Sequence, residues 1–443
     1  MEKHYKIEPP PNSMPRNSAE LSKDPAVMQA VARAQERYLP WDEFKHKTWV
    51  PGSKEEIWGL VKLLRNLERE LTPIVDERMT PYAFSSRLHA EFLHEVDLEL
   101  GGIFLGLQDF SEGDKRRIIR RNLIEESIAS SQLEGANTSR AVAKKMLAEG
   151  RAPRDKSERM IVNNHATMRW IEEELKDQKL SMDLLLDLHW RVTQGTIDDA
   201  HQGKLRETLN ADGQPLVVKP WDDTVIAYVT PKREFVEQQL PKLVAFANDE
   251  QKGGTFIHPL MKGIMLHFWI GLLHPFEDGN GRLARILFYW YMLRRRYWAF
   301  SYLSISERIL KSAKQYAMAY IYAEQDDFDL NYFIQYNVEK IKLARTAFRE
   351  YLQVKIVENR QASNAIRKDF SLNARQINLL QHLAKDEQRY TTLKEYNNVN
   401  DSVGKVTASA DLQKLVEKGF LKKVKSGRNV FYYPTDQIRS LLG

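Results

Sequence analysis

The chain contains no cysteine in its 443 residues. This absence excludes disulfide bonds and thiolate metal sites, and it is consistent with a reducing compartment. Long hydrophobic runs are also missing, since no stretch approaches about 18 consecutive apolar residues. The opening residues, MEKHYKIEPPPNSMPRNS, lack the apolar segment of a secretion signal. We therefore expect a cytoplasmic protein with neither a secretion signal nor a membrane contact.

The net positive charge of the chain is small and is concentrated in its C-terminal part. The chain carries a net charge of +6, from 66 Lys and Arg against 60 Asp and Glu. Residues 366–443 hold 14 of the basic and 8 of the acidic residues, which leaves 52 of each in residues 1–365. A basic C-terminal domain indicates an anionic partner, DNA first, although a soluble lysine-rich surface explains the charge equally well.

Helical spacing of apolar residues dominates the chain and predicts a mainly α fold with two or three domains. Apolar residues make up 42% of the sequence, which is enough for buried cores. A hairpin signal, PLVVKPWDDTVIAYVTPK, interrupts the helical pattern. The expected regions are a flexible arm at 1–25, a helical N-terminal region at 26–112, a helical domain at 113–360 containing the hairpin at 214–231, and a C-terminal domain at 366–443.

The C-terminal domain reads as three short helices followed by a hairpin in FLKKVKSGRNVFYY. This order is typical of a winged helix-turn-helix. On its third helix we expect Val406 and Leu412 to be buried and Lys405 to be exposed. Asp411 and Glu417 are expected to dilute the positive face of that helix, so DNA binding and protein binding both remain open.

One polar stretch, HPFEDGNGRLAR at 274–285, lies between two apolar helices. Gly279 and Gly281 allow a tight turn and the close approach of a ligand, and the N-terminus of the following helix attracts anions. Arg282 and Arg285 are one helical turn apart, so both can reach the phosphates of a nucleotide. The stretch therefore predicts a loop that binds a polyphosphate.

Two further side chains of this stretch can supply reactive groups. His274 ends the preceding helix and is a candidate general base for a hydroxyl. Asp278 can give a carboxylate oxygen to a magnesium ion that bridges two phosphates. The dinucleotide-binding fingerprint would need a preceding strand, and a Walker loop would need a lysine that is missing here. The alternative is a glycine-rich turn whose charged residues have no function in binding or catalysis.

The stretch matches H-x-F-x-[DE]-G-N-G-R-x-x-R at every position and resembles the signature of the Fic family. The resemblance extends through GKLR at 203–206 and the hairpin, over roughly residues 110–350. It implies a Fic-type helical core in which the hairpin is a flap that aligns a target segment by strand addition. Most Fic proteins move AMP from ATP to a Ser, Thr or Tyr hydroxyl of a target protein and release pyrophosphate. The resemblance therefore implies a protein adenylyltransferase with ATP as substrate and Mg²⁺ as cofactor.

The resemblance also implies a role for each residue of the motif. His274 would deprotonate the incoming hydroxyl, and Asp278 would hold the metal. The other implied roles are Phe276 as the anchor of the loop, Gly279, Asn280 and Gly281 as a phosphate cradle, Arg282 as a direct phosphate ligand, Arg285 as the partner of the γ-phosphate, and Tyr316 as a neighbour of the adenine.

A second motif, SSQLEG at 130–135, matches [ST]-x-x-x-E-[GN], the inhibitory helix of class II Fic proteins. It implies that Ser130 and Glu134 are inhibitory, with Glu134 reaching Arg285 in place of the γ-phosphate. An exposed helix-end glutamate before a capping glycine is the alternative.

The sequence therefore predicts an autoinhibited adenylyltransferase whose target is another protein or the chain itself. One alternative is a Fic enzyme that removes AMP or handles another nucleotide. The other is a nucleotide-responsive regulator that binds DNA through residues 366–443.

Overall fold

The computed structural model is mainly helical, in agreement with the helical spacing of the apolar residues. The residues that it describes are 3–11, 18–102, 107, 110, 112–210, 213–219, 225–250, 256–370, 372–385, 390–400, 403–426 and 429–436. No helix among these residues combines the length and the apolar character needed to cross a membrane.

The chain divides into two compact units. One consists of Met1–Ile103 and Asn122–Arg345, and the other of Phe104–Arg121 and Thr346–Gly443. The boundaries of these two units differ from those of the four regions expected from the sequence. The four regions stay a prediction.

The first unit opens with short helices and strands. They are β1 (Lys3–His4), α1 (Ser18–Leu21), α2 (Pro25–Glu36), α3 (Trp41–Phe44), α4 (Lys54–Leu67), β2 (Glu70–Val75), β3 (Pro81–Phe84) and α5 (Ala90–Val96). Helices α2 to α4 share an apolar core around Phe44 and Trp58. The antiparallel pair β2–β3 was not predicted from the helical pattern. Its turn depends on the Asp76 carboxylate, which accepts hydrogen bonds from the backbone N–H groups of Arg78 and Thr80.

A helical core follows. Its helices are α6 (Glu112–Leu133), α7 (Arg140–Glu149), α8 (Lys156–Trp170), α9 (Met182–Thr193), α10 (Arg233–Ala247), α11 (Pro259–Leu273), α12 (Asn280–Arg294), α13 (Ile305–Leu310), α14 (Ala313–Gln325) and α15 (Asn331–Phe370). The unit boundary falls inside α6 and α15. Helices α11 and α12 are buried along almost their whole length. Because neither has a polar face, they form the centre of the first unit.

The predicted hairpin at 214–231 is present. Its strands β4 (Val217–Val218) and β6 (Tyr228–Val229) pair in antiparallel register. Residues 220–224, at the expected tip, lie outside the described residues. We keep the name flap for this hairpin.

Residues 1–25 were expected to form a flexible arm. The described part of this segment instead includes a strand and a buried side chain. Strand β1 pairs in parallel with β5 (Val225–Ile226), which directly precedes β6. Ile7 is buried, and α2 begins at Pro25. The local composition favours an irregular chain, whereas pairing with a distant strand gives it a fixed backbone.

The second unit contains the helices and the hairpin in the predicted order. They are α16 (Ala374–Lys385), α17 (Leu393–Val399), α18 (Lys405–Glu417), β7 (Leu421–Ser426) and β8 (Asn429–Pro434). Leu380, Tyr396 and Leu412 belong to their common core. The turn residues Gly427 and Arg428 lie outside the described residues.

Two expectations for α18 were wrong. Val406 is 85% exposed instead of buried, because the buried face of the helix begins at Ala408. Asp411 is buried instead of facing outward. Its carboxylate accepts hydrogen bonds from Arg375 Nε and the Tyr396 hydroxyl, each at 2.8 Å. Asp411 therefore does not dilute the exposed positive face.

Candidate active site

The polar stretch after α11 is held in one conformation by its own side chains. His274 (φ 44°) and Gly279 (φ 84°) are both left-handed, and they set the entry and exit of the turn. Asn280 donates from Nδ2 to the Phe276 carbonyl at 2.7 Å, and its Oδ1 accepts from the Phe276 N–H at 3.0 Å. Phe276 is fully buried, as expected for an anchor. The Asn280 side chain thus closes the loop.

His189, which we did not predict, supports the same loop from α9. Its ring stacks on Phe276 with the centroids 3.6 Å apart. The Gly203 N–H donates to Nδ1 at 3.0 Å, so the proton is on Nε2, which donates to the Asp278 carbonyl at 2.8 Å. Burial lowers the pKa of His189 to about 4, which keeps this ring neutral. His189 therefore fixes the loop as a neutral hydrogen-bonding bridge.

Arg206, the last residue of GKLR, ties the loop to the flap. Its Nε donates to the His274 carbonyl at 2.6 Å, and its Nη2 donates to the Pro231 carbonyl at 2.7 Å. The Tyr228 hydroxyl of β6 donates to the Leu272 carbonyl at 2.9 Å. These bonds fasten the flap beside the C-terminal end of α11, where His274 lies.

His274 is placed as a neutral base. Burial lowers the pKa of its imidazole to about 4, and the nearby Arg206 cation acts in the same direction. Glu134 acts in the opposite direction but does not cancel this effect. Because the ring is deprotonated at neutral pH, it can accept a proton from a hydroxyl.

Glu134, Ser130 and Arg285 lie in contact. Arg285 Nη2 donates to Glu134 Oε1 at 2.9 Å and to the Ser130 carbonyl at 2.8 Å, while its Nε donates to Ser130 Oγ at 2.8 Å. The Glu134 side chain is 22% exposed and the Arg285 guanidinium is buried. A Cβ atom on Gly281 would lie 2.1 Å from Glu134 Oε1. The carboxylate therefore occupies the space against the first turn of α12 in which a phosphate was expected.

One more carboxylate on α6 faces the same region. Glu126, two turns before Glu134, accepts hydrogen bonds from the Ser304 hydroxyl at 3.0 Å and the Ser306 N–H at 2.9 Å. Burial raises the pKa of this carboxyl group, and these serine hydrogen bonds oppose the increase. The residue was not predicted, although its spacing from Ser130 and Glu134 is the helical i, i+4, i+8 pattern. It fastens α6 against the core next to Arg285.

Arg282 is completely buried, with its guanidinium 0% exposed. Nη1 donates to the Val192 carbonyl at 2.5 Å, and Nη2 lies 3.8 Å from Asp278 Oδ1. Within the described part of the chain, its Nε and Nη2 have no hydrogen-bond acceptor. Because an unpaired buried donor is costly, these atoms are well suited to receive an anion.

Asp278 is the candidate metal ligand, and its side chain is 40% exposed. One carboxylate oxygen accepts the Gly279 N–H at 2.5 Å. Among the described residues no group of three or more His, Cys, Asp or Glu side chains could hold a metal ion. A single carboxylate fits Mg²⁺ only when phosphate oxygens and water complete the coordination.

Tyr316 packs against α11. Its hydroxyl lies 2.7 Å from His267 Nε2. Burial raises the pKa of Tyr316, and the nearby Arg285 cation opposes this increase. Its expected position near an adenine stays a prediction.

Comparison with known proteins places this site in a recognised domain. Residues 179–292 match the Fic/DOC family. The matched segment runs from just before α9 to the end of α12 and contains the flap and the loop. Homology therefore supports the Fic family for the region that builds the site.

Two curated relatives show the extent of the likeness. Protein adenylyltransferase fic-1 of Caenorhabditis elegans is 30% identical over 152 residues, which cover 34% of this chain and 26% of that protein. Protein adenylyltransferase Fic of Culex quinquefasciatus is 26% identical over 172 residues, covering 38% and 31%. The match thus spans about a third or less of each relative.

A solved structure of C. elegans Fic-1, residues 134–508, is similar in fold. Its TM-score is 0.51 at 18% identity, covering 80% of this chain and 90% of that chain. At this identity the solved structure shows the fold alone.

Proposed function

We propose that this chain is an autoinhibited protein adenylyltransferase that moves AMP from ATP to a Ser, Thr or Tyr hydroxyl of another protein or of the chain itself. The observation that carries the proposal is the contact between Glu134 and Arg285 beside an otherwise complete site. A neutral base, two buried arginines and a glycine loop are assembled there, and a carboxylate lies among them.

In the proposed reaction, His274 accepts the proton of the target hydroxyl while its oxygen attacks the α-phosphorus of ATP. The bond from the α-phosphorus to the bridging oxygen breaks, and pyrophosphate leaves with that electron pair. The free donors of Arg282 and the N-terminus of α12 hold phosphate oxygens and stabilise the charge that develops on them. Asp278 would hold Mg²⁺, which supplies further neutralisation of the phosphates.

Autoinhibition follows from shared space and shared charge. Glu134 takes the guanidinium of Arg285 and lies against Gly281, where a polyphosphate would need the same donors. Because Glu134 uses a donor and a space that the polyphosphate needs, a triphosphate must displace Glu134 or bind out of line.

Intact-mass spectrometry after incubation with ATP and Mg²⁺ tests the activity. We expect Glu134→Gly to gain the mass of one or more adenylyl groups, and Glu134→Gly/His274→Ala to gain none. Labelling that persists without His274 would contradict the mechanism. A chain that only removes AMP from a previously labelled protein would instead be a de-AMPylating enzyme.

We further propose that residues 366–443 form a winged helix-turn-helix that binds DNA. Burial of Asp411 removes one of the two acidic residues from the exposed face of α18, where Lys405 and Glu417 remain. Strand β7 exposes Lys422, Lys423 and Lys425. A row of exposed lysines suits the phosphates of a duplex.

Binding of a labelled duplex by the full chain at several salt concentrations tests this second proposal. Lys423→Gln should lower the salt slope by about one, because one phosphate contact is lost. Lys145→Gln, an exposed lysine of the first unit, serves as the matched control and should change nothing. Binding without a salt slope would contradict DNA recognition.

A further inference from the structure

The open edge of the flap is covered by the chain's own residues 3–8. Lys3 lies opposite Val225 and His4 opposite Ile226 in parallel register, and the Tyr5 N–H donates to the Ile226 carbonyl at 2.8 Å. On the other side of the same extended run, β6 pairs with β4. Strand β1 therefore adds to the flap as an outer strand.

Beyond β5, the backbone of this segment bonds to the side-chain amide of Gln325, as it would to a neighbouring strand. Gln325 Nε2 donates to the Tyr5 carbonyl at 3.0 Å, and its Oε1 accepts the Ile7 N–H at 3.0 Å. Ile7 is buried, while His4, Lys6 and Glu8 are exposed. Alternate residues thus face the protein, as they do in a strand bound at an edge.

The covered edge lies next to the proposed base. Helix α14 runs alongside α11, because Tyr316 contacts His267 and, one turn later, Tyr320 lies against Gly271. Gln325, which contacts residues 5 and 7, is the last residue of α14. The bond from Tyr228 to the Leu272 carbonyl fixes the flap at the same end of α11.

We propose that residues 3–8 are a cis-acting strand that occupies the site at which an extended target peptide aligns on the flap. The inference rests on the proposed function, because it assigns the target site of that reaction. A competing peptide would lie parallel to β5, donate to the Ile226 carbonyl and place an apolar side chain where Ile7 is buried. The geometry gives this protein two separate restraints, Glu134 at the nucleotide and residues 3–8 at the target.

Two proline variants separate the strand contact from a general effect of proline. Tyr5→Pro removes the N–H that donates to Ile226. In a parallel pair the N–H of His4 points away from β5, so His4→Pro keeps the flap bond and serves as the matched control. Hydrogen exchange should increase in residues 225–229 of Tyr5→Pro alone. Unchanged exchange in α11 and α12 shows that the core is intact.

The decisive experiment measures fluorescence anisotropy of a labelled peptide, EKHYKIE, titrated with the full chain. We expect Tyr5→Pro to bind it at least about tenfold more tightly than wild type or His4→Pro, since a tethered strand competes at a high effective concentration. A peptide with aspartate at the Ile7 position should not bind. Equal binding by all three proteins, or no binding by Tyr5→Pro, would overturn the inference.

The same proteins carrying Glu134→Gly distinguish the two proposals. If the proposed function holds, AMP transfer to the peptide should be faster with Tyr5→Pro than with His4→Pro. If no variant transfers AMP, the proposed function fails, whereas the difference in peptide binding still decides the strand contact.

Discussion

The two ends of the site are held by different kinds of contact. At the base end, His274 and its loop are fixed by hydrogen bonds from Asn280 within the loop, and from His189 and Arg206, which lie 89 and 68 residues from their partners. At the phosphate end, Arg285 is held by Glu134 and Ser130, more than 150 residues upstream. The first set of bonds fixes the position of His274 and its loop. The second set occupies Arg285, which the proposed nucleotide would also need. Under the proposed function, the restraint can therefore be removed without disturbing the base end.

The largest expected effect is at the base end. In the Glu134→Gly background, His274→Ala should lower the rate of AMP transfer by about 10²- to 10⁴-fold, because the loop contains no other imidazole. The affinity for ATP, measured by titration calorimetry, should stay within about twofold. A matching loss of ATP affinity would show that the two ends are not separable.

At the phosphate end, Glu134→Gly should tighten ATP binding by about tenfold or more. The freed Arg285 gains a charge-assisted hydrogen bond to the triphosphate. Glu134→Gln retains the size and loses the charge, so its ATP affinity should be intermediate. Affinity for AMP, which lacks the γ-phosphate, is the control and should change little.

A smaller effect is expected at His189, which positions the loop without touching the reacting atoms. His189→Ala in the Glu134→Gly background should lower kcat by about tenfold, since two hydrogen bonds and a stacked ring are lost. His189→Gln should restore part of kcat by donating to the Asp278 carbonyl. A purely structural role would instead lower the melting temperature without this rescue.

The smallest effect is the pH dependence. His274 acts when neutral, and the neutral fraction increases as pH rises through the pKa of about 4. The Glu134→Gly rate should therefore change by less than about twofold between pH 8 and pH 6, and decrease only near pH 5 and below. Loss of Glu134 removes an influence that raises this pKa, so the variant keeps a low value. A decrease centred near the ordinary histidine value would contradict the buried neutral base.

The loop itself could be predicted because its chemistry is local. The order of His274, Gly279 and Arg285 in one stretch specifies a helix end, a turn and a helix start. The contact between Glu134 and Arg285 required a resemblance, since sequence distance hides it. His189 gave little signal, because a single histidine within an apolar helix more often belongs to an ordinary core.

Pairing between distant segments accounts for most of what could not be predicted. Residues 3–8 are polar and precede three prolines, and only the edge of β5 gives them a strand conformation. Asp411 was misplaced for a similar reason, since its partners Arg375 and Tyr396 come from other helices. Local patterns do not specify such tertiary partners.

The most direct test of the central claim is the ratio of AMP incorporation by Glu134→Gly and wild type, measured by intact mass at equal ATP and Mg²⁺. The contact between Glu134 and Arg285 predicts a ratio of about ten or more, and no incorporation once His274 is also replaced. A ratio near one, with both proteins folded and labelled, would contradict the claim that Glu134 restrains the site.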